Sequence, residues 1–188
     1  MKNKFRASYS ILRMWEQGRW EDAIKSYFKL DRWISEEMAE GKKYHEEWAE
    51  ETRKTNCLPL VFGGTKLIKP IVEEKKVVEI FDWLDLVGII DCYDEGTIYE
   101  YKTGISNSQE YARTSQVPVY GVLSLLSDMK VKKAEIHHYN QYEKQSDMFM
   151  IWMTDAVIKH GFDWIETHAS DMHNYFVKNN LYALNETK

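Results

Sequence analysis

Cysteine is scarce. Cys57 and Cys92 are the only two, with no C-x-x-C spacing and no histidine cluster beside them, so a disulfide framework, a structural zinc site and a four-thiolate iron–sulfur centre have no basis. The three prolines (Pro59, Pro70, Pro118) are too scattered to mark a linker between domains. No apolar run approaches the roughly 20 residues of a membrane span, and the first residues, Met1-Lys-Asn-Lys-Phe-Arg-Ala-Ser8, lack the apolar stretch of a signal peptide. These absences predict a soluble, cytoplasmic protein in a reducing compartment, without membrane contact. Nor is there a Gly-rich phosphate loop, which removes P-loop nucleotide hydrolysis. The chain also lacks an excess of positive charge, with 25 Lys and Arg against 30 Asp and Glu, a formal net charge of -5. A phosphate-binding surface draws on Lys and Arg, so a nucleic-acid partner requires the acids to be segregated. Runs such as Glu46-Glu47 and Glu50-Glu51 read as a solvated helix face that would do this.

What is present suits one ordinary globule. The length of 188 residues supports one core and hence one domain spanning 1–188. Its N-terminal part, about 8–55, reads as two or three helices, with Ile11, Trp15, Trp20, Ile24, Tyr27 and Phe28 at helical spacing and Gly41 as a separator. A β-rich core, about 66–150, begins with Val77–Phe81, Leu86–Tyr93 and Ile98–Lys102, the last two joined by the turn signal Asp94-Glu95-Gly96. A helix follows at about 108–127, then a strand at 134–142. Inside that helix Pro118 would cost about 3 kcal/mol unless the helix starts late, with Thr114 or Ser115 as N-cap and Pro118 in the first turn. A long amphipathic helix at about 154–178 closes the chain, with Trp152, Ile158, Phe162, Ile165, Met172 and Phe176 directed at the core. The order is α, βββ, α, β, α.

If the strands around Asp94–Thr97 pair symmetrically, Tyr93 faces Ile98, Cys92 faces Tyr99 and Asp91 faces Glu100. Directly opposed residues have Cβ atoms about 4.5–5.5 Å apart, and like charges there are destabilising. A divalent cation held by carboxylate oxygens and waters would offset that repulsion. Side-chain alternation places Lys102 on the face of Glu100 and puts Tyr99 and Tyr101 on the other. A lysine there can orient water or stabilise charge on a phosphate at the transition state. The spacing Glu-x-Lys has little value alone, since it recurs at Glu40/Lys42, Glu73/Lys75, Glu74/Lys76 and Glu186/Lys188. Only Glu100/Lys102 lies in an apolar strand, follows a strand that carries an Asp just before its turn, and is closed by Thr103-Gly104. The plainer reading is a surface hairpin with a cross-strand ion pair.

The stretch Gly88-Ile-Ile-Asp91, a turn, then Ile98-Tyr-Glu100-Tyr-Lys102-Thr-Gly104 resembles motifs II and III of the RecB-like and Cas4-like branch of the PD-(D/E)XK nucleases. Gln116-Val-Pro-Val-Tyr120 is similar to the branch's QxxxY motif, Gly41-Lys-Lys-Tyr-His45 to its GxxxH motif, and Ala7-Ser8-Tyr9-Ser10 to its N-terminal SxS signature. The resemblance spans about residues 7–125 and implies an α/β, restriction-endonuclease-like αβββαβ core, a mixed central sheet flanked by helices, with extra helices at both ends. It implies a Mg²⁺- or Mn²⁺-dependent DNA nuclease, an exonuclease on single-stranded ends, with no iron–sulfur cluster. Its partners would be DNA, single-stranded or at a duplex end, and a helicase or other recombination protein. Carried over residue by residue, His45, Asp91, Glu100 and the backbone carbonyl of Tyr101 would bind metal, Lys102 would act on the attacking water, and Gln116 and Tyr120 would position the strand. The hairpin reading independently supports only Asp91, Glu100 and Lys102. The other readings are a binding module on an inactive nuclease scaffold, or a nuclease for RNA or branched DNA.

Several residues carry less. A lone helical histidine such as His45 is commonly a surface residue, and Gln116 and Tyr120 are i, i+4 neighbours that any amphipathic helix supplies. His137 and His138 should point to opposite faces of a strand, which removes a joint metal site. Lys42, Lys43, Lys66, Lys69, Lys130, Lys132 and Lys133 are phosphate contacts if they line one groove and solvated charges otherwise.

Overall fold

The computed structural model describes residues 4–30 and 35–182. Helices and strands alternate in the order β1 (Phe5–Ser8), α1 (Tyr9–Glu16), α2 (Trp20–Tyr27), α3 (Glu36–Thr55), a 3₁₀ turn (Leu60–Phe62), β2 (Ile71–Phe81), β3 (Leu84–Asp94), β4 (Thr97–Thr103), α4 (Ser108–Ala112), α5 (Gln116–Leu126), β5 (Lys133–Asn140), β6 (Gln145–Trp152) and α6 (Asp155–Lys178). Local chemistry accounts for the helix ends. Ser8, Ser35 and Thr154 each cap a helix by accepting from a backbone N–H three residues on. Glu36 and Glu37 open α3, Arg53 and Lys54 close it, and Asn56 at φ 52° terminates it.

Among the described residues the sheet has six strands. The order is β1-β3-β4-β5-β6, with β2 on the other edge of β3. The β1–β3 and β4–β5 pairs are parallel and the rest antiparallel, so the sheet is mixed. On one face α1, α2, α5 and α6 enclose the larger core around Phe5, Leu86, Leu123, Ile165 and Phe176. On the other, α3 and the 3₁₀ turn cover a smaller one around Trp48, Phe62, Cys92 and Tyr101.

Four local readings change. Gly41 does not separate helices but lies inside α3. A Cβ at Gly41 would stand 2.9 Å from Thr103 Oγ1, so the glycine there permits close approach of α3 to the end of β4. The helix expected at 108–127 is two helices, α4 and α5, and Ser115 is the N-cap of the second, which places Pro118 in its first turn. Strands β1 and β6 were not anticipated. β6 carries apolar residues on both faces, without the alternation that signals a half-buried strand. Trp152 accordingly ends β6 and is 60% exposed, whereas Ile165, Met172 and Phe176 are fully buried.

Candidate active site

The site begins with the hairpin. Glu95 and Gly96 both have positive φ (45° and 90°), the requirement of a two-residue turn whose twist matches its strands. That turn sets the pairs Asp94–Thr97, Tyr93–Ile98 and Cys92–Tyr99. The ladder stops one pair short of Asp91 and Glu100. Since β2 runs along one whole edge of β3, β1 (at Leu84–Val87) and β4 (at Cys92–Asp94) must share the other. Between them residues 88–91 have no strand partner on that edge. The sheet is notched where the carboxylates stand, and the Tyr101 N–H donates across the gap to Asp91 Oδ2 at 2.8 Å.

Groups from both faces converge on this notch. From α5, Gln116 Nε2 donates to Glu100 Oε1 (2.5 Å) and lies 3.1 Å from the Tyr120 hydroxyl, which itself donates to the Ile89 carbonyl at 2.9 Å. Lys102 Nζ reaches the same Glu100 oxygen at 2.6 Å. From α3, His45 Nδ1 stands 3.6 Å from Asp91 Oδ2. Asp91, Glu100, Lys102, His45, Gln116 and Tyr120 are therefore brought together. The hydrogen-bond role of the i, i+4 pair is met within the cluster, since Gln116 and Tyr120 link Glu100 to β3.

The electrostatics are those of a crowded negative site. Glu100 has 3% of its side chain exposed; burial first, and the neighbouring Asp91 second, push its pKa up to about 7 against the pull of Lys102 and His45. Burial opposes the Lys102 ammonium, but Glu100 and Asp91 outweigh it and hold its pKa above the ordinary value. At His45 burial likewise opposes the charge and Asp91 overcomes it, a net upward shift. Glu100 Oε2 is buried and, among the described residues, has no hydrogen-bond partner.

Whether a metal fits turns on that oxygen. Among the described residues no group of three or more His, Cys, Asp or Glu side chains is arranged so that it could hold a metal ion by itself. The donors present are nevertheless two carboxylates, one of them with an oxygen lacking a hydrogen-bond partner among the described residues, and one imidazole; hard cations of the Mg²⁺ class use one or two carboxylates and complete their shell with waters and substrate oxygens. In donor type, though not as a ready-made cage, the set suits such an ion.

Neighbouring structure locks Lys102 in place. Its ammonium lies 5.7 Å from the centre of the Tyr111 ring on α4, and Tyr111 Oη donates to the Thr103 carbonyl at 3.1 Å. The connector between β4 and α4 is held by His138, whose Nδ1 meets Asp147 Oδ1 at 2.8 Å and whose Nε2 meets the Gly104 carbonyl at 3.1 Å, while Asp147 also accepts from Ser108 N at 2.8 Å. His137 points the other way, against Phe62 and Glu135. Tyr111, Asp147 and Ser108 escaped the sequence reading because no local pattern marks them. Their neighbourhood depends on the parallel crossing from β4 to β5. Most of the candidate phosphate lysines are engaged elsewhere: Lys42, Lys43 and Lys133 pair with Glu46, Glu47 and Glu135, and Lys66 donates to the Thr55 carbonyl.

No family model and no curated protein matches the sequence. Solved structures do match in fold. An alkaline exonuclease from Laribacter hongkongensis superposes with a TM-score of 0.55 at 11% identity over 95% of this chain and 94% of that one; its complex with dAMP gives 0.53 at the same identity and coverage. A phage-related exonuclease from Haemophilus somnus 129PT gives 0.53 at 13% identity over 87% and 82%. No helix among the described residues is long and apolar enough to cross a membrane. The chain thus has a restriction-endonuclease-like fold, a mixed sheet between helices, shared with these solved exonuclease structures.

Proposed function

We propose that this protein is a Mg²⁺- or Mn²⁺-dependent DNA nuclease of the RecB-like and Cas4-like kind, acting as an exonuclease on single-stranded ends. The observation that carries the reading is the buried Glu100, with Asp91 beside it, Lys102 and Gln116 on one oxygen and no partner for the other. A merely structural ion pair has no use for a second, partly buried carboxylate and an orphaned acceptor, each of which costs stability. The exonuclease folds, one of them bound to dAMP, support the same reading.

His45, Asp91, Glu100 and the Tyr101 carbonyl would hold the cation. Bound there, a divalent ion supplies Lewis-acid polarisation of the phosphate and lowers the pKa of water. Hydrolysis adds water across a P–O bond, so the attacking water gives up a proton and the leaving sugar oxygen gains one. Lys102 places positive charge beside the attacked phosphate and orients the water. Gln116 and Tyr120, fixed to each other and to β3, hold Glu100 and the strand in register. Pre-positioned charge in a site shielded from bulk water is the largest contribution such residues make.

The test is degradation of end-labelled single-stranded and duplex DNA with Mg²⁺, Mn²⁺ or chelator, comparing wild type with Lys102→Ala. Metal-dependent loss of DNA with wild type alone is expected, and its product ladder reports end-directed action. Cleavage that survives chelation, or that persists at full rate in the variant, refutes the proposal.

A further inference from the structure

Beside the carboxylates, and sharing Gln116 and Tyr120 with them, lies a cleft of about 270 Å³ between the start of α1, the notch in β3 and the face of α5. Its walls are mainly Tyr9, Val119 and Leu123, and Ser10 and Ile89 stand at exposed positions on its rim. Among the described residues no Lys or Arg lines it. Gly88 lines it as well, and a Cβ there would lie 2.6 Å from Leu123 and 3.6 Å from Tyr120. Absence of a side chain at 88 lets α5 lie close to β3 and leaves the cleft unfilled where β3 is unpaired on the edge it shares with β1 and β4.

We infer that this cleft receives one unpaired nucleobase, that of the nucleotide adjoining the phosphate to be cut. The inference deepens the nuclease reading and rests on it. A pocket without a cation does not select phosphate, whereas apolar and aromatic walls with a few hydroxyls suit the flat face of a base. The volume admits one nucleoside, and a duplex end does not enter it. A base reaches the cleft only by leaving its stack and its partner, which costs least when it is already unpaired. The cleft thereby selects single-stranded or frayed ends over blunt duplex, and accepts every sequence.

Binding is measured first, by fluorescence anisotropy of labelled single-stranded oligonucleotides with wild-type protein in chelator. An abasic tetrahydrofuran residue is placed at each position from the end in turn. One position is expected to weaken binding at least tenfold. In Ser10→Leu and Ser10→Phe, which fill the rim at an exposed position, that penalty should shrink to less than twofold while circular dichroism is unchanged. Binding indifferent to every abasic position overturns the inference, as does an abasic penalty that survives both variants, or a penalty produced by removing the terminal phosphate instead of the base. Cleavage with Mn²⁺ then separates the two readings. Equal cutting of intact and abasic strands removes the base cleft and keeps the nuclease. Abasic-sensitive binding without cutting of any strand keeps the cleft and removes the nuclease.

Discussion

Two ionic groups, one buried and one half-buried, sit one strand apart and behave oppositely. On β4, Glu100 has a second carboxylate for a neighbour, shares one oxygen between Lys102 and Gln116, and leaves the other bare; its pKa rises to about 7. On β5, Glu135 faces the opposite side of the sheet, where His137 and Lys133 each take one of its oxygens, at 3.1 and 2.6 Å. His137 first, then, against the burial penalty, Lys133, draw its pKa down to about 2. The β5 cluster is complete in itself. The β4 cluster is not: two carboxylates crowd one another there, and among the described residues Glu100 Oε2 has no hydrogen-bond partner, which is the feature the proposed cation would satisfy.

The comparison is sharpest at Lys102. Lys102→Ala should lower turnover on end-labelled DNA by about 10²–10³-fold or more, the range for losing one charge-stabilising group, while thermal unfolding still shows a cooperative transition. Turnover at the wild-type rate would make the β4 cluster as structural as its neighbour. Asp91→Asn should abolish calorimetric Mn²⁺ binding, and with it the rise in Tm that Mn²⁺ gives wild type; unchanged binding would remove Asp91 from the ligand set. Gly41→Ala forces a methyl toward Thr103 on the strand that carries Glu100 and Lys102, and should cost about 1–3 kcal/mol from overpacking, with weaker Mn²⁺ binding because His45 rides on the same helix. Denaturant titration and calorimetry read the two effects.

The smallest effects fall on β5. Glu135→Gln should leave DNA cleavage and Mn²⁺ binding within twofold of wild type and lower stability by about 1 kcal/mol, the ordinary worth of a partly exposed charged hydrogen bond. Its pH dependence has a definite sign. The folded pKa lies below the unfolded one, so the carboxylate's contribution is fully present above about pH 4.3 and disappears as pH falls through about 2. The stability gap between wild type and Glu135→Gln should therefore close across that window, and a gap that widened with acid would contradict the ion-pair geometry.

Much of this contrast was legible in one dimension. The turn residues Glu95-Gly96 and the apolar strands on either side of them predict a hairpin, and the hairpin's register predicts that Asp91 approaches Glu100 and that Lys102 shares its face. Alternation likewise placed His137 and His138 on opposite faces. The late start of α5 follows from Pro118 and a serine three residues before it. These readings succeeded because they depend on contacts between residues a few positions apart, where backbone geometry leaves few alternatives.

Other features lay beyond local pattern. Gly41 looked like a breaker, because its real partner, Thr103, is 62 positions away in sequence and invisible without the packing of α3 on β4. β6 was missed because an edge strand exposed on both faces carries no period. His45 and Gln116 were placed by resemblance alone, and only the folded chain shows how residues from opposite sides of the sheet meet, through a notch that exists because β1 ends and β4 diverges along one edge of β3. By itself, then, the sequence determined which residues could do the chemistry, since side-chain type and short-range register are written in the chain. The tertiary structure decided their charge balance, the bare oxygen on Glu100 and the cleft beside it, because burial and long-range neighbours arise only when distant segments pack.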